Sequence, residues 1–436
     1  MPELLKKFRW PLFFFFLAFF IRLPLLFRMD YANFPEFYRD YYMAERILSG
    51  HLPLLGPPSM QANFYFGPVY YYFFAPLFWL FNHHPASLLL TGILLYGFSA
   101  AALYKLLLLW FKDKGPAIFG TLFYVVSIYG IQLTSYVSNP NFLPLWVILF
   151  FYFLTKILED KAAALDYFLL GCSYSFAAQL HTTAALVLPL AAIWPLSLKI
   201  RHWRQQNLAK TGRLLGFALL GFFLPALPYL YAETASRLAN LRSLFTFGAH
   251  TLQGKNYLFG LQAILGYFRG ALDPFYMSNS YSFIQPTGLY WLVAAGALVI
   301  ILSVLMAAIK GKISLGKKNF PLSANALHLC LAWFAAASVI ILLFNKSPHS
   351  HYLIIFWPLP VILLAVVFGL AKQHLGIYKS LIFFALLVSA LQIFTFYFKK
   401  GTPWQDFYAV YGQNYKNNPA TPQIGSPAIG WPQHQR

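Results

Sequence analysis

The chain has 436 residues, of which 59% are apolar, 20% aromatic and only 10% charged, whereas about a quarter of an ordinary soluble chain carries charge. That balance excludes a soluble globular protein. Its 32 Lys plus Arg against 12 Asp plus Glu leave +20, but the basic residues sit in short clusters between apolar runs, as in cytoplasmic loops under the positive-inside rule, so the excess is topological and does not imply nucleic acid.

Lys6-Lys7-Phe8-Arg9 precedes an apolar run from Trp10 to Phe27 without a small-residue cleavage site, and is read as a retained first helix. Runs long enough to cross a hydrocarbon core of about 30 Å recur at 10–28, 88–110, 116–136, 142–158, 165–181, 183–198, 213–231, 287–309, 324–344, 352–371 and 380–398. With a cytoplasmic N-terminus these crossings put Lys112-Asp113-Lys114, the Lys199–Arg213 loop, the Lys310–Lys318 loop and Lys372–Lys379 all inside. The fold class expected is therefore an all-α polytopic membrane protein.

The aromatic segment Phe64–Phe81 would reverse every later loop if it crossed alone, and Gly67-Pro68 and Pro76 interrupt a straight helix. It is placed at the outer interface, where Tyr and Trp rings are favoured; a simple crossing is the other reading. The outside then holds Met29–Asn63, Glu233–Pro286 and the short Asn345–His351 connection. Residues 1–398 form one transmembrane domain, with outer loops at about 29–87 and 233–286. The tail 399–436, rich in Asn, Pro, Gln and Gly towards its end, is expected to be largely disordered. Cys172 and Cys330 both fall in apolar segments, so no disulfide framework is readable.

Four of the twelve acids, Asp30, Glu36, Asp40 and Glu45, lie in the first outer loop. Glu36 to Leu48 reads as an amphipathic helix with Phe37, Tyr41, Ala44 and Leu48 on one stripe, ended by Ser49-Gly50. Asp40 lies beside that stripe, while Arg39 and Arg46 point away from it. A carboxylate there loses hydration and gains proton affinity, which suits a general base; pairing with a neighbouring arginine is the plainer alternative.

The run Arg39-Asp40-Tyr41-Tyr42-Met43-Ala44-Glu45-Arg46-Ile47-Leu48-Ser49-Gly50, followed by Gly67-Pro68-Val69-Tyr70-Tyr71-Tyr72, resembles the first outer loop of GT-C glycosyltransferases, in particular the protein O-mannosyltransferase and aminoarabinose transferase families. Asn139-Pro140-Asn141-Phe142-Leu143-Pro144, Gln179-Leu180-His181-Thr182-Thr183 and His351-Tyr352-Leu353 extend the likeness over roughly Trp10 to Leu370. The resemblance implies a GT-C-like bundle of about eleven helices that moves a sugar from a polyprenyl-phosphate carrier to a glycan, lipid or protein acceptor at the outer face of the plasma membrane. The loop acid would serve as base, a role that carries over to Asp40 alone. The sequence departs from the family where an Asp-Glu pair is Asp40-Tyr41, where Lys-Pro-Pro or His-Pro-Pro is Phe66-Gly67-Pro68, where a second-loop acid is Asn139 or Asn141, and where Arg-Tyr is His351-Tyr352.

A lipid phosphate leaves as a stable anion, so transfer from it needs one base and cations to hold the phosphate, unlike glycoside hydrolysis with its two carboxylates. The candidate contacts to phosphate or sugar are Arg39, Lys255, Arg269, Lys346, His349, His351 and Tyr352. His349 and His351 with Asp40 leave room for a divalent metal, although no metal site is assigned. His181 is read as a structural hydrogen-bonding residue, and Asp273, Glu233 and Glu36 as turn or helix-end acids. An O-antigen polymerase or ligase type enzyme, and a lipid-linked-sugar flippase or transporter, are the competing readings; the acid cluster in the first loop disfavours one, and the scarcity of charge within the spans disfavours the other.

Overall fold

A computed structural model describes residues 2–27, 35–59, 64–203, 208–251, 260–265, 321–343 and 350–374, with 379, 387, 390 and 397. The described chain is helical, apart from one isolated β-bridge between Pro58 and Tyr65. Its helices are α1 (Pro2–Arg22), α2 (Pro35–Leu48), α3 (Val69–Tyr72), α4 (Ala75–Leu80), α5 (Ala86–Phe111), α6 (Lys114–Val126), α7 (Ile128–Ser135), α8 (Leu143–Leu158), α9 (Ala164–Leu180), α10 (Thr182–Trp203), α11 (Leu208–Ala235), α12 (Ala239–Thr251), α13 (Ala324–Leu342) and α14 (Pro358–His374). Seven of the described helical stretches are long and apolar enough to cross a membrane, and eight if the bent pair α6–α7 counts as one span. The protein is a multi-pass membrane protein. The spans expected at 287–309 and 380–398 lie outside the described residues, apart from isolated positions in the latter.

One of the expected crossings is bent and another starts irregularly, though the latter still counts as one span, Tyr352–Lys372. The 116–136 run bends by 48° at Ser127, between α6 and α7, and 352–371 begins as a 3-10 turn, Ser350–Phe356, before α14 starts at Pro358. A proline at the first helical position fits this restart, because its missing N–H would have no intrahelical partner there.

Contacts between linkers sort the two ends of the bundle. At one end Asp113 accepts from the Gly115 N–H to start α6 and pairs with Lys372 at 2.8 Å, Asp160 pairs with Lys199, and the Ser323 N–H donates to the Trp110 carbonyl at 2.9 Å. These are the linkers that the charge pattern places together on the cytoplasmic side. At the other end lie α2, α3, α4 and the α9–α10 turn at His181. The Tyr41 hydroxyl donates to the His83 carbonyl at 3.0 Å, so the chain before and after Phe64–Phe81 lies at the same end. That segment forms α3 and α4, whose twelve residues from Val69 to Leu80 reach about 18 Å, too little to cross. The segment therefore does not make the simple crossing that was the other reading.

The one cation sealed within a described span explains the break at Ser127. Arg22 is fully buried and costly at that depth unless satisfied. Its Nε donates to Thr134 Oγ1 at 3.0 Å and its Nη1 to the carbonyls of Ala18 at 3.2 Å and Val125 at 3.0 Å, with the guanidinium 3.9 Å from the Tyr96 ring centroid. The Val125 carbonyl is free because α6 ends one residue later. The ring itself stacks on Tyr124 at 4.7 Å, which stacks on Trp357.

Helices α9 and α11 pack backbone to backbone. A Cβ at Gly171 would overlap the Ala218 carbonyl oxygen, and one at Gly221 would overlap that of Phe168. Without water between helices to drive association, small residues that permit such close approach supply the packing.

Candidate active site

Helix α2 forms as its period predicts: Phe37, Tyr41 and Ala44 are buried, and Leu48 is partly so. Asp40 beside them is fully buried. Its carboxylate is satisfied on both oxygens. Arg39 reaches Oδ1 through Nε at 2.8 Å and Nη2 at 2.7 Å, and the Tyr70 hydroxyl donates to Oδ2 at 2.6 Å. Burial pushes the carboxyl up from its ordinary 3.8 to about 6, against the pull of Arg39 and Tyr70. It is therefore ionised at neutral pH, yet close enough to its midpoint to take a proton.

The expectation that Arg39 points away from the apolar stripe is corrected. Only 15% of its side chain is exposed, because a long side chain can fold back across the helix surface whatever the direction of its Cβ. Its remaining donors include a hydrogen bond with Tyr71, whose hydroxyl burial pushes well above the usual range. Glu36, one turn before Asp40 in the first turn of α2, bonds with Tyr136 just past α7 and leaves Oε2 buried without a partner among the described residues. Among the described residues, the charged and titratable groups around Asp40 are thus Arg39 and Glu36 from α2, Tyr70 and Tyr71 from α3, and Tyr136.

Tyr70 reaches the carboxylate because the chain before it is held in place. The Gly56 N–H donates to Phe66 O at 2.8 Å and the Phe66 N–H to Pro57 O at 2.9 Å, pairing 56–59 with 64–67 as a short arm. A Cβ at Gly67 would collide with the Gln179 side chain, and a Cβ at Gly56 with the Gly67 carbonyl; glycine permits this approach. The Gly67 N–H donates to Gln179 O at 3.2 Å, and Pro68 then caps α3.

His181 has the hydrogen-bonding role expected: its Nδ1 lies 2.8 Å from Thr183 Oγ1 at the start of α10. Its ring stacks on Phe66 at 5.9 Å and meets Tyr352 edge-on at 4.9 Å. Tyr352 is thereby brought to the same end of the bundle as α2, buried beneath the arm. The two asparagines standing where the family has an acid are engaged with backbone: Asn139 donates to Leu180 O at 2.6 Å and Asn141 to Tyr136 O at 2.7 Å. Glu233, fully buried, accepts from the Leu241 N–H at 3.2 Å and so caps α12. Lys255, Arg269, Asp273, Lys346 and His349 lie outside the described residues, as does the His351 side chain.

Two residues of this region escape sequence reasoning. Tyr70 belongs to a motif noticed for its aromatic character, but nothing in the pattern pairs it with an acid thirty residues earlier. Asn240, fully buried, holds the arm from 175 residues away; no local signal marks it.

The sequence matches no protein-family model and no curated protein. Solved structures are similar in fold. ArnT from Cupriavidus metallidurans bound to undecaprenyl phosphate matches with a TM-score of 0.56 at 15% identity, over 87% of this chain and 63% of that one. The oligosaccharyltransferase AglB from Archaeoglobus fulgidus, in complex with an inhibitory peptide and a dolichol-phosphate, matches with a TM-score of 0.50 at 12% identity, over 96% of this chain and 59% of that one. The chain thus spans about three-fifths of the length of these structures, and it shares their fold.

Proposed function

We propose that this chain is an integral-membrane glycosyltransferase that moves a sugar from a polyprenyl-phosphate carrier to an acceptor hydroxyl, with Asp40 as general base, at the extracytoplasmic end of the bundle. The observation that carries the reading is the state of Asp40: a fully buried carboxylate, pushed up to about 6 and held by Arg39 and Tyr70, in a chain that shares the fold of ArnT and AglB. The phosphate carriers named with ArnT and AglB belong to those proteins and support the choice of donor class here.

In the proposed reaction the acceptor oxygen attacks the anomeric carbon as its proton passes to Asp40, the carbon–oxygen bond to phosphate breaks, and the phosphate leaves with the bonding pair. Direct displacement inverts the anomeric centre. Arg39 keeps the base ionised between turnovers and, with donors to spare, lies within the same cluster as candidate cations for the departing phosphate. Lys255, Arg269, Lys346, His349 and His351 are proposed for the same task, and Tyr352 for the sugar.

Free polyprenyl phosphate is the product whatever the sugar, so it gives an assay independent of donor identity. Membranes containing the protein, supplied with a panel of polyprenyl-phosphate sugars and envelope extract as acceptor, should release it with one donor. Release should fall as pH drops through about 6, because protonation removes the base. Release independent of pH between 5 and 8, or none with any donor, contradicts the reading.

A further inference from the structure

The arm that leads to Tyr70 is gripped from the second outer loop. Asn240, at the elbow between α11 and α12, accepts from the Tyr65 N–H at 2.5 Å and donates to the Tyr65 carbonyl at 3.0 Å, so its amide pairs with this residue as a neighbouring strand would. The other edge of Tyr65 bridges to Pro58. The same Nδ2 lies 2.7 Å from the Tyr229 hydroxyl of α11, which fixes the amide's orientation. The elbow is itself sharply set: Arg237 and Leu238 have φ of 54° and 62°, a left-handed turn that non-glycine residues seldom adopt, closed by the Leu238 N–H on Glu233 O at 2.7 Å.

We infer that Asn240 is a positioning residue: by holding Tyr65 it sets the register of the arm, and with it the placement of Tyr70 against Asp40, so that the second outer loop governs the state of the base. This rests on the base role of Asp40 proposed above and extends it to a loop that does not touch the carboxylate. Four residues lie between Tyr65 and Tyr70, and one of them, Gly67, is pinned independently to Gln179, whose Nε2 donates to Pro225 O of α11 at 3.1 Å. Loss of Asn240 therefore loosens the arm without releasing it. The consequence is a graded weakening of the Tyr70 hydrogen bond, with Arg39, Glu36, Tyr71 and Tyr136 left in place around Asp40.

The sign follows from that bond. Tyr70 donates to the ionised carboxylate and so lowers its proton affinity; a weaker bond raises the protonation midpoint. The test is an infrared titration of the protonated carboxyl C=O band in purified protein, identified as the component missing from Asp40→Asn. The wild type should titrate near pH 6. Asn240→Ala should titrate at higher pH, Tyr70→Phe likewise, and the double variant at the Tyr70→Phe midpoint, while the transfer rate of Asn240→Ala falls about tenfold. An unmoved midpoint in Asn240→Ala, or a shift that adds in full to that of Tyr70→Phe, overturns the inference. Should Asn240→Ala not accumulate as folded protein, Tyr229→Phe removes the bond that orients the amide and carries the same test with a smaller shift. Sugar transfer surviving in Asp40→Asn would instead overturn the base role, and the titration would still decide whether Asn240 acts on Asp40.

Discussion

Asp40→Asn should leave the protein inserted and folded and reduce sugar transfer by at least about 100-fold, the lower end of what general-base catalysis contributes. The substitution preserves shape. Its amide oxygen can still accept from Arg39, and its NH2 can donate to the Tyr70 oxygen. Stability should change little, for reasons that can be given a sign. Burial raises the folded-state value of Asp40 above its ordinary 3.8, so the stability that the neutral acid contributes is present below 3.8 and is lost as pH rises through about 6. At pH 7 the native side chain already bears the cost of a desolvated charge, which Asn avoids. Against this, Arg39 loses its counter-ion, but 15% of its side chain reaches the surface and can keep hydration. The thermal midpoint should therefore stay within about 5 °C of the wild type. Transfer at a near-normal rate would end the assignment; collapse of the fold would show that Asp40 serves structure first.

The largest structural effect is expected at the crossing of α9 and α11, where intrinsic propensity and packing oppose each other. Replacing glycine by alanine within a helix ordinarily gains about 0.5–1 kcal/mol. At Gly171 and Gly221 the added carbon meets backbone carbonyls, which cannot rotate aside as a side chain would, so the helices must separate at a cost of about 1–3 kcal/mol or more. Packing wins. Gly171→Ala and Gly221→Ala should each lower the thermal midpoint in detergent, whereas Gly216→Ala, on α11 with none of the described residues within 4 Å of the added carbon, should leave it unchanged or raise it. If all three behave alike, the close backbone approach is not what holds these helices.

What could be read from sequence followed the period of single elements. Apolar runs located the described spans, and i, i+4, i+7 spacing found the buried face of α2 with Asp40 beside it, because both depend only on residues along one helix. Charge parity spoke against a crossing by Phe64–Phe81, since basic linkers record which end they occupy, and its short helices do not cross. The rest depends on meetings between elements. Arg39 turns back onto Asp40 because a helical wheel gives the direction of Cβ and not the reach of a long side chain. The break at Ser127 has no proline to announce it; it is matched by a guanidinium from α1 that takes up a freed carbonyl. Tyr70 and Asn240 act across 30 and 175 residues, and neither separation leaves a pattern in the chain.

These distant contacts also bear on the places where the sequence departs from the GT-C pattern that it resembles. Tyr41, standing where an acid is common, is used for packing: its ring meets Phe78 edge-on at 5.0 Å and its hydroxyl bonds to His83. Asn139 and Asn141 tie loops together through backbone carbonyls. Asp40 keeps its place among titratable partners, between Arg39 and Tyr70.

The most direct measurement is a structure of the full chain in lipid nanodiscs with undecaprenyl phosphate added. The account predicts phosphate density at the end of the bundle that carries α2 and α3, within reach of Arg39 and beside Asp40, with the polyprenyl chain running down the helices into the bilayer. Phosphate density at the opposite end, beside the Asp113–Lys372 and Asp160–Lys199 pairs, would contradict it.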